Sequence, residues 1–569
     1  MFPMKKFRTD VLIIGGGGAG SRAAIEADKL GVDVTIICKG EYGESGCTSN
    51  SASEWMAYGV ALGIADPRDS CEAHFRDIVE MGAYVCDQNL AKIIAYEAPD
   101  RFFELVDWGV NFLRDENGRF KQFMSDGASY PRACGTGADT GRQIMNALKK
   151  IVDERGIRVI ENMMAVDLVV NNGKVVGAVA IDVETLELTF FEAKSTIIST
   201  GGAGGLFLHN VFPDGMTGDG YAMALRAGAK LVNMEFMQIG PCVTSPFKFD
   251  VGGVLWRLGP RLINGRGEEY LRKYLPAGVS LEEAYSLKAV SFPFTMRNAS
   301  GYIDIANFTE IIEGRGTENR CVYFDLSHID PKILETEAQI PFRFFLDRGI
   351  DIRREPLEIA PAIQHMNGGI LINERAEAGI SGLYAAGEAA GGQHGADRPG
   401  GNSLADCQVF GARAGRYAAE RARETSATSS IKAARKIAEK IEALLKLRGN
   451  LNIEKIRREI REMMWRNVSV VKRGDILTET VKKLQSYKKL LSSRLNVAEN
   501  RLVEALELRN MIDTGLAIAE AALVRKETRG SHYRADYPSR DDGRWMKMIE
   551  IRMSNGNILV NMRSPIICG

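Results

Sequence analysis

Gly15-x-Gly17-x-x-Gly20 stands between an apolar run at 7–14 and a segment at 21–30 that reads as a helix. Residues 32–38 (VDVTIIC) read as a second strand, so a βαβ unit begins almost at the first residue. Glycines at this spacing permit a tight turn and let a pyrophosphate approach the helix N-terminus. There, unpaired N–H groups and the helix dipole favour an anion. The spacing alone is a weak signal; its strand-before, helix-after setting makes a dinucleotide site the expectation over a structural glycine turn. An acid normally ends the second strand of such a unit and holds ribose hydroxyls. Here that place is Cys38-Lys39, which puts Lys39 beside the cofactor and leaves the ribose contact unassigned.

A second turn of the same kind lies far downstream, in GLYAAGEAAGGQHGADRPGGNSLAD at 382–406. Gly387-Glu388 closes a strand and can present a carboxylate to cofactor hydroxyls. Gly400, Gly401, Asn402 and Ser403 open a helix, a second N-terminus suited to an anion. Two distant cradles in one chain imply an extended dinucleotide held at both ends. Another glycine-rich turn, at 200–205, contains Gly201.

The 569 residues are 45% hydrophobic, which argues against disorder. At about 100–200 residues per domain, the length suits three or four domains or one large composite fold. Lys+Arg and Asp+Glu both total 73, a balance that argues against a nucleic-acid binder. Nine cysteines are scattered without a CxxC pair. They read as reduced thiols in a cytosolic protein, with no iron–sulfur cluster and no metal site expected on this chain. No apolar run reaches the roughly 18 residues of a membrane span, and the N-terminus does not read as a signal peptide. Residues 73–112 and 140–154 read as helical, and 157–200 alternates as strands. The texture is mixed from 235 to 350 and strongly helical over 431–525, with strand-like pieces over 530–569. The basic run Arg457, Arg458, Arg461 and Arg466 reads most simply as a solvated helix face, or else as a docking face for a partner protein.

The two cradle segments resemble the flavoprotein subunit family of succinate dehydrogenase, fumarate reductase and L-aspartate oxidase. His394-Gly395-Ala396-Asp397-Arg398, followed by Asn402-Ser403-Leu404, is similar to the family pattern HGANRxxSNSL. Thr217-Gly218-Asp219-Gly220, Tyr323-Phe324-Asp325-Leu326 and RGSHYRADYPSRDD at 529–542 extend the resemblance over essentially the whole chain. It implies an α/β fold, a Rossmann-like FAD-binding domain in two segments (1–236 and 353–425) with an inserted α+β capping domain (237–352). A helical domain (426–520) and a C-terminal segment (521–569) follow. It implies FAD held by Gly15, Gly17, Gly20, Lys39, Thr48, Gly201, Asp219, Glu388, Asn402, Ser403 and Leu404, with His394 beside the flavin ring. In the family, a hydride passes between flavin N5 and one carbon of a dicarboxylate, and a cap arginine exchanges a proton at the other. Arg297 is that arginine's counterpart by its spacing before Tyr323, and Arg398 that of the arginine clamping a substrate carboxylate.

The departures from the family are specific. The run Gln238-Ile239-Gly240-Pro241 lacks a substrate histidine, and Gly252-Gly253 replaces a Thr-Glu pair. Gln364 takes the register of a second histidine, with His365 adjacent as a substitute; Asn298 stands where the family has Asp. Cys47 stands near the place of the histidine that carries FAD covalently in membrane-complex members, so non-covalent FAD is the expectation and a Cys47 thioether the alternative. The implied partners are a small carboxylate and an iron–sulfur electron-transfer subunit. The implied setting is cytoplasmic, with membrane association only through partner proteins. An L-aspartate oxidase-like self-sufficient oxidase and a flavin electron relay without substrate chemistry are the competing readings.

Overall fold

The computed structural model describes residues 4–568, apart from 52, 54, 427–429, 448 and 496. The first strand, Met4–Ile14, has its C-terminal part buried because parallel strands flank it: Val34–Ile37 on one side and Leu188–Ile198 on the other. Burial on both faces explains the unbroken apolar run Val11–Ile14. Seven strands form this sheet, in the order Arg158–Ile160, Val34–Ile37, Met4–Ile14, Leu188–Ile198, Lys174–Asp182, Met163–Asn171. The seventh, Leu383–Ala385, runs parallel to the end of Leu188–Ile198, with Leu383 opposite Thr196 and Ala385 opposite Ile198. That one pairing brings the downstream cradle to the upstream one.

The cap carries a five-stranded antiparallel sheet, ordered Phe249–Asp250, Met237–Val243, Leu357–Met366, Val322–Asp325, Arg261–Ile263. Its central strand, Leu357–Met366, lies beyond the expected boundary at 352. Two adjacent strands therefore join the cap to the cofactor-binding body, with Gln238 opposite His365. Expected helical stretches resolve into Cys71–Met81 and Gln88–Asp107, Thr140–Glu154, and four long helices: Ile431–Lys446, Ile453–Val468, Gly474–Arg494 and Leu502–Val524. The last is buried along most of its length and runs past the expected boundary at 520. The terminal hairpin, Met548–Ser554 with Asn557–Arg563, packs back into a third sheet beside Leu231–Val232.

The basic run is only partly a solvated face. Arg458 and Arg466 are exposed, but Arg457 donates to Glu507 at 2.8 Å, and Arg461 reaches the carbonyls of Phe207 and Leu208 at 3.5 Å. No helix among the described residues is long and apolar enough to cross a membrane.

Candidate functional site

The three glycines of the first turn do different work. Gly15 has φ +102°, and a Cβ at Gly20 would overlap the Gly15 carbonyl oxygen, so these two serve the tightness of the turn. A Cβ at Gly17 would meet nothing closer than Thr48 Oγ1 at 3.8 Å, so this glycine leaves open space at the mouth of helix Gly18–Asp28. Thr48 accepts the Gly18 N–H at 3.1 Å. Helix Asn402–Glu424 begins after Gly401 (φ +87°) and crosses Gly18–Asp28 so closely that a Cβ at Gly415 would overlap the Ala23 carbonyl. Both N-termini open on one cavity of about 1120 Å³, which Gly15, Gly17, Lys39, Thr48, Gly201, Asp219, Glu388, Ser403 and Leu404 help to line.

Glu388 follows the strand Leu383–Ala385 and accepts the Gly202 N–H at 3.0 Å and the Met366 N–H at 2.9 Å. Burial outweighs these bonds and pushes its carboxyl up to about 7. Lys39 also lines the cavity. Burial pulls its ammonium down, but Asp219 at 2.7 Å and Glu507 at 2.8 Å prevail and hold it above the usual value. The acid missing after the second strand is thus matched by carboxylates from Asp219 and from a helix more than 460 residues away. Glu507 was not legible as a site residue, since nothing local marks it.

Arg398 is a third charged residue on the cavity wall. It is 6% exposed; Nη2 donates to Gln238 Oε1 at 2.6 Å, Nη1 to the Pro399 carbonyl at 3.1 Å, and Nε has no partner among the described residues. Gln238 donates in turn to Asp397 Oδ1 at 2.9 Å and to the Arg398 carbonyl at 2.8 Å, which fixes the fork. Burial holds the guanidinium below its usual pKa despite nearby acids, and no carboxylate is paired with it among the described residues. His365 and Gln364 also line the cavity. Burial first, then Arg398 and His394, keeps His365 neutral, with Nδ1 3.4 Å from Glu388.

Besides Gly20, three of the expected residues do not line the cavity. Arg297 is off the cavity wall, its Nη2 3.5 Å from Asp397 and its Nε 3.1 Å from Thr295 Oγ1. His394 is buried behind His365, ring centroids 5.8 Å apart, with neither ring nitrogen hydrogen-bonded among the described residues. The Asn402 side chain turns to His74 at 2.9 Å, so only its backbone belongs to the cradle. Sequence reasoning also missed Asp250, two residues before the Gly252-Gly253 pair it singled out, and Asp126; both line the cavity.

A cradle with two helix N-termini, an open face at Gly17 and a carboxylate at Glu388 fits the pyrophosphate and hydroxyls of FAD, and the cavity exceeds the roughly 300–1,000 Å³ of ordinary ligand sites. Comparison with known proteins agrees. A family model described as FAD binding domain matches residues 10–404, and one described as Fumarate reductase flavoprotein C-term matches 457–564. A fumarate reductase (CoM/CoB) subunit of Methanothermobacter marburgensis is 38% identical, over 94% of this chain and 95% of the relative. The succinate dehydrogenase flavoprotein subunit of Rickettsia conorii is 30% identical, over 95% of this chain and 92% of the relative. A solved E. coli quinol fumarate reductase FrdA variant superposes with a TM-score of 0.87 at 27% identity, over 99% of this chain and 98% of that one. The chain is an FAD-dependent oxidoreductase and belongs to the family of fumarate reductase and succinate dehydrogenase flavoprotein subunits.

Proposed function

We propose that this chain is the FAD-bearing subunit of a fumarate reductase-like complex, interconverting a carbon–carbon double and single bond in a small carboxylate and exchanging electrons with an iron–sulfur partner. The observation that carries the reading is Arg398, a buried guanidinium that opens on the cavity and has no paired carboxylate among the described residues. A buried unpaired charge is costly, so the site is built for an anion that completes it. Gln238 holds the fork in place and leaves Nε for that anion. Bound FAD would supply the two-electron chemistry, exchanging a hydride with one substrate carbon.

Arg297 would exchange the proton at the neighbouring carbon. Burial pushes the Asp397 carboxyl up, which makes it the acid beside Arg297 suited to return a proton. Arg297 lies off the wall, and the cap joins the body through two strands, so cap closure would carry it to the substrate. Burial holds the Cys47 thiol protonated, which weakens it as a nucleophile and supports non-covalent FAD. The naming of the methanogen relative as one subunit of an enzyme supports a partner protein.

Arg398→Gln tests the reading. In FAD-loaded protein, carboxylate binding followed by flavin absorbance should weaken about 100-fold, the equivalent of a lost ~3 kcal/mol buried charge contact, with flavin content unchanged. Unaltered carboxylate affinity would remove the anion assignment.

A further inference from the structure

The cap presents a cation to the same cavity. Arg257 ends the short helix Gly253–Arg257, is exposed, and lines the cavity. No ion pair or hydrogen bond holds its guanidinium among the described residues. The acids that share this wall are engaged elsewhere or unpaired: Asp250 accepts Gln364 Nε2 at 2.8 Å, Asp126 accepts the Phe292 N–H at 3.0 Å, and the exposed Glu337 pairs with no cation among the described residues. A Cβ at Gly253 would stand 2.1 Å from the Ala289 carbonyl oxygen, so the backbone admits no side chain there. Positions i and i+4 share a helix face, and a side chain at i+4 leans back over the preceding turn. Arg257 therefore stands over the bare turn at Gly253, which lines the cavity too.

The body adds a second donor beside it. Ser53 forms an isolated parallel bridge with Asp250, which sets this segment next to the start of the Gly253–Arg257 helix. Two residues on, Trp55 lines the cavity, and its indole N–H is buried with no partner among the described residues. The ring packs on Phe123 with centroids 4.4 Å apart, which holds it in place. Lys121, exposed and likewise unpaired among the described residues, adds positive charge to the lining. Arg398 is 6% exposed and Arg257 is open to solvent, so this second set of donors lies nearer the mouth. We propose that Arg257 and the Trp55 N–H form a second anion locus, and that the substrate is a carboxylate with another anionic group at its far end. This rests on the carboxylate reading of Arg398 above. A ligand held at both ends joins body to cap, so its second charge favours the closure that carries Arg297 inward. Arg257 is then the residue that sets specificity for that charge.

Diacids of increasing length test this, because each can be set against the monoacid of the same length. Succinate, glutarate and adipate are titrated by calorimetry into FAD-loaded protein at neutral pH, with butyrate, pentanoate and hexanoate as their counterparts. The diacid whose length matches the gap between Arg398 and Arg257 should bind about tenfold tighter than its monoacid. Arg257→Gln should erase that preference and leave monoacid affinity unchanged, whereas Arg398→Gln should weaken both. The wild-type comparison stands without the variants. Diacids that bind no tighter than their monoacids, or a preference that survives in a flavin-replete Arg257→Gln protein, would overturn the inference while leaving Arg398 as a carboxylate site. If neither diacids nor monoacids bind, the carboxylate reading of Arg398 itself falls, and this inference with it.

Discussion

At the scale of single residues, the site gathers acids whose charged forms the fold disfavours. Burial raises Glu388 and Asp406 to about 7 and Asp250 to about 6. Unfolded, such groups titrate near 4. Between those values the folded chain binds more protons than the unfolded one, so their contribution is fully present below about pH 4 and lost as pH rises through 6–7. Asp536 and Glu310, held down to about 2, act the other way and matter only below about pH 4. Buried histidines, His74, His209, His365, His394 and His532, are pulled down and act the other way up to about pH 6.5, so the test is the difference one acid makes: Glu388→Gln should raise the apoprotein's melting temperature relative to wild type more at pH 8 than at pH 5. An equal difference between variant and wild type at both pH values in differential scanning calorimetry would contradict the protonation state given for Glu388. The residues legible beforehand at this scale were those in contiguous motifs: Glu388, Arg398, Ser403. Asp250 and Glu507 were not, because their roles come from partners distant in sequence, Gln364 and Lys39.

At the scale of elements, the opening turn separates two jobs that the motif alone does not distinguish. Gly20→Ala forces a Cβ onto the Gly15 carbonyl and should cost about 1–3 kcal/mol of stability, as overpacking does. Gly17→Ala meets open space in the apoprotein and should leave its melting temperature unchanged while weakening FAD binding. Equal loss of stability in both variants would mean that Gly17 serves packing rather than the cofactor. Strands and helices with a clean apolar rhythm were readable in advance, Met4–Ile14 and Thr140–Glu154 among them. The cap boundary was not, because Leu357–Met366 is apolar enough for either sheet and only its pairing with Met237–Val243 assigns it. The run containing Arg457 and Arg461 read as solvent-facing because charge pattern says nothing of partners such as Glu507 and the Phe207 carbonyl.

At the scale of the whole molecule, the helical region is bound to the cofactor body by ion pairs as well as by packing. Arg226 contacts Asp167 at 2.6 Å and Asp513 at 2.9 Å, Arg509 reaches Asp167 at 3.1 Å, and Lys39 holds Asp219 and Glu507 together. The helix Leu502–Val524 therefore forms one side of the cofactor channel, through Val503 and Glu507. The two-cradle plan was visible in the order of motifs; this closing wall was not. The plan requires a ligand that spans both cradles, and titration of the apoprotein with FAD and with FMN, followed by flavin fluorescence, tests that requirement most directly. The account predicts one FAD per chain and FMN binding weaker by a factor of roughly 100, because FMN lacks the adenylate half and so cannot span both cradles. FMN binding as tightly as FAD, or no uptake of either flavin, would contradict it.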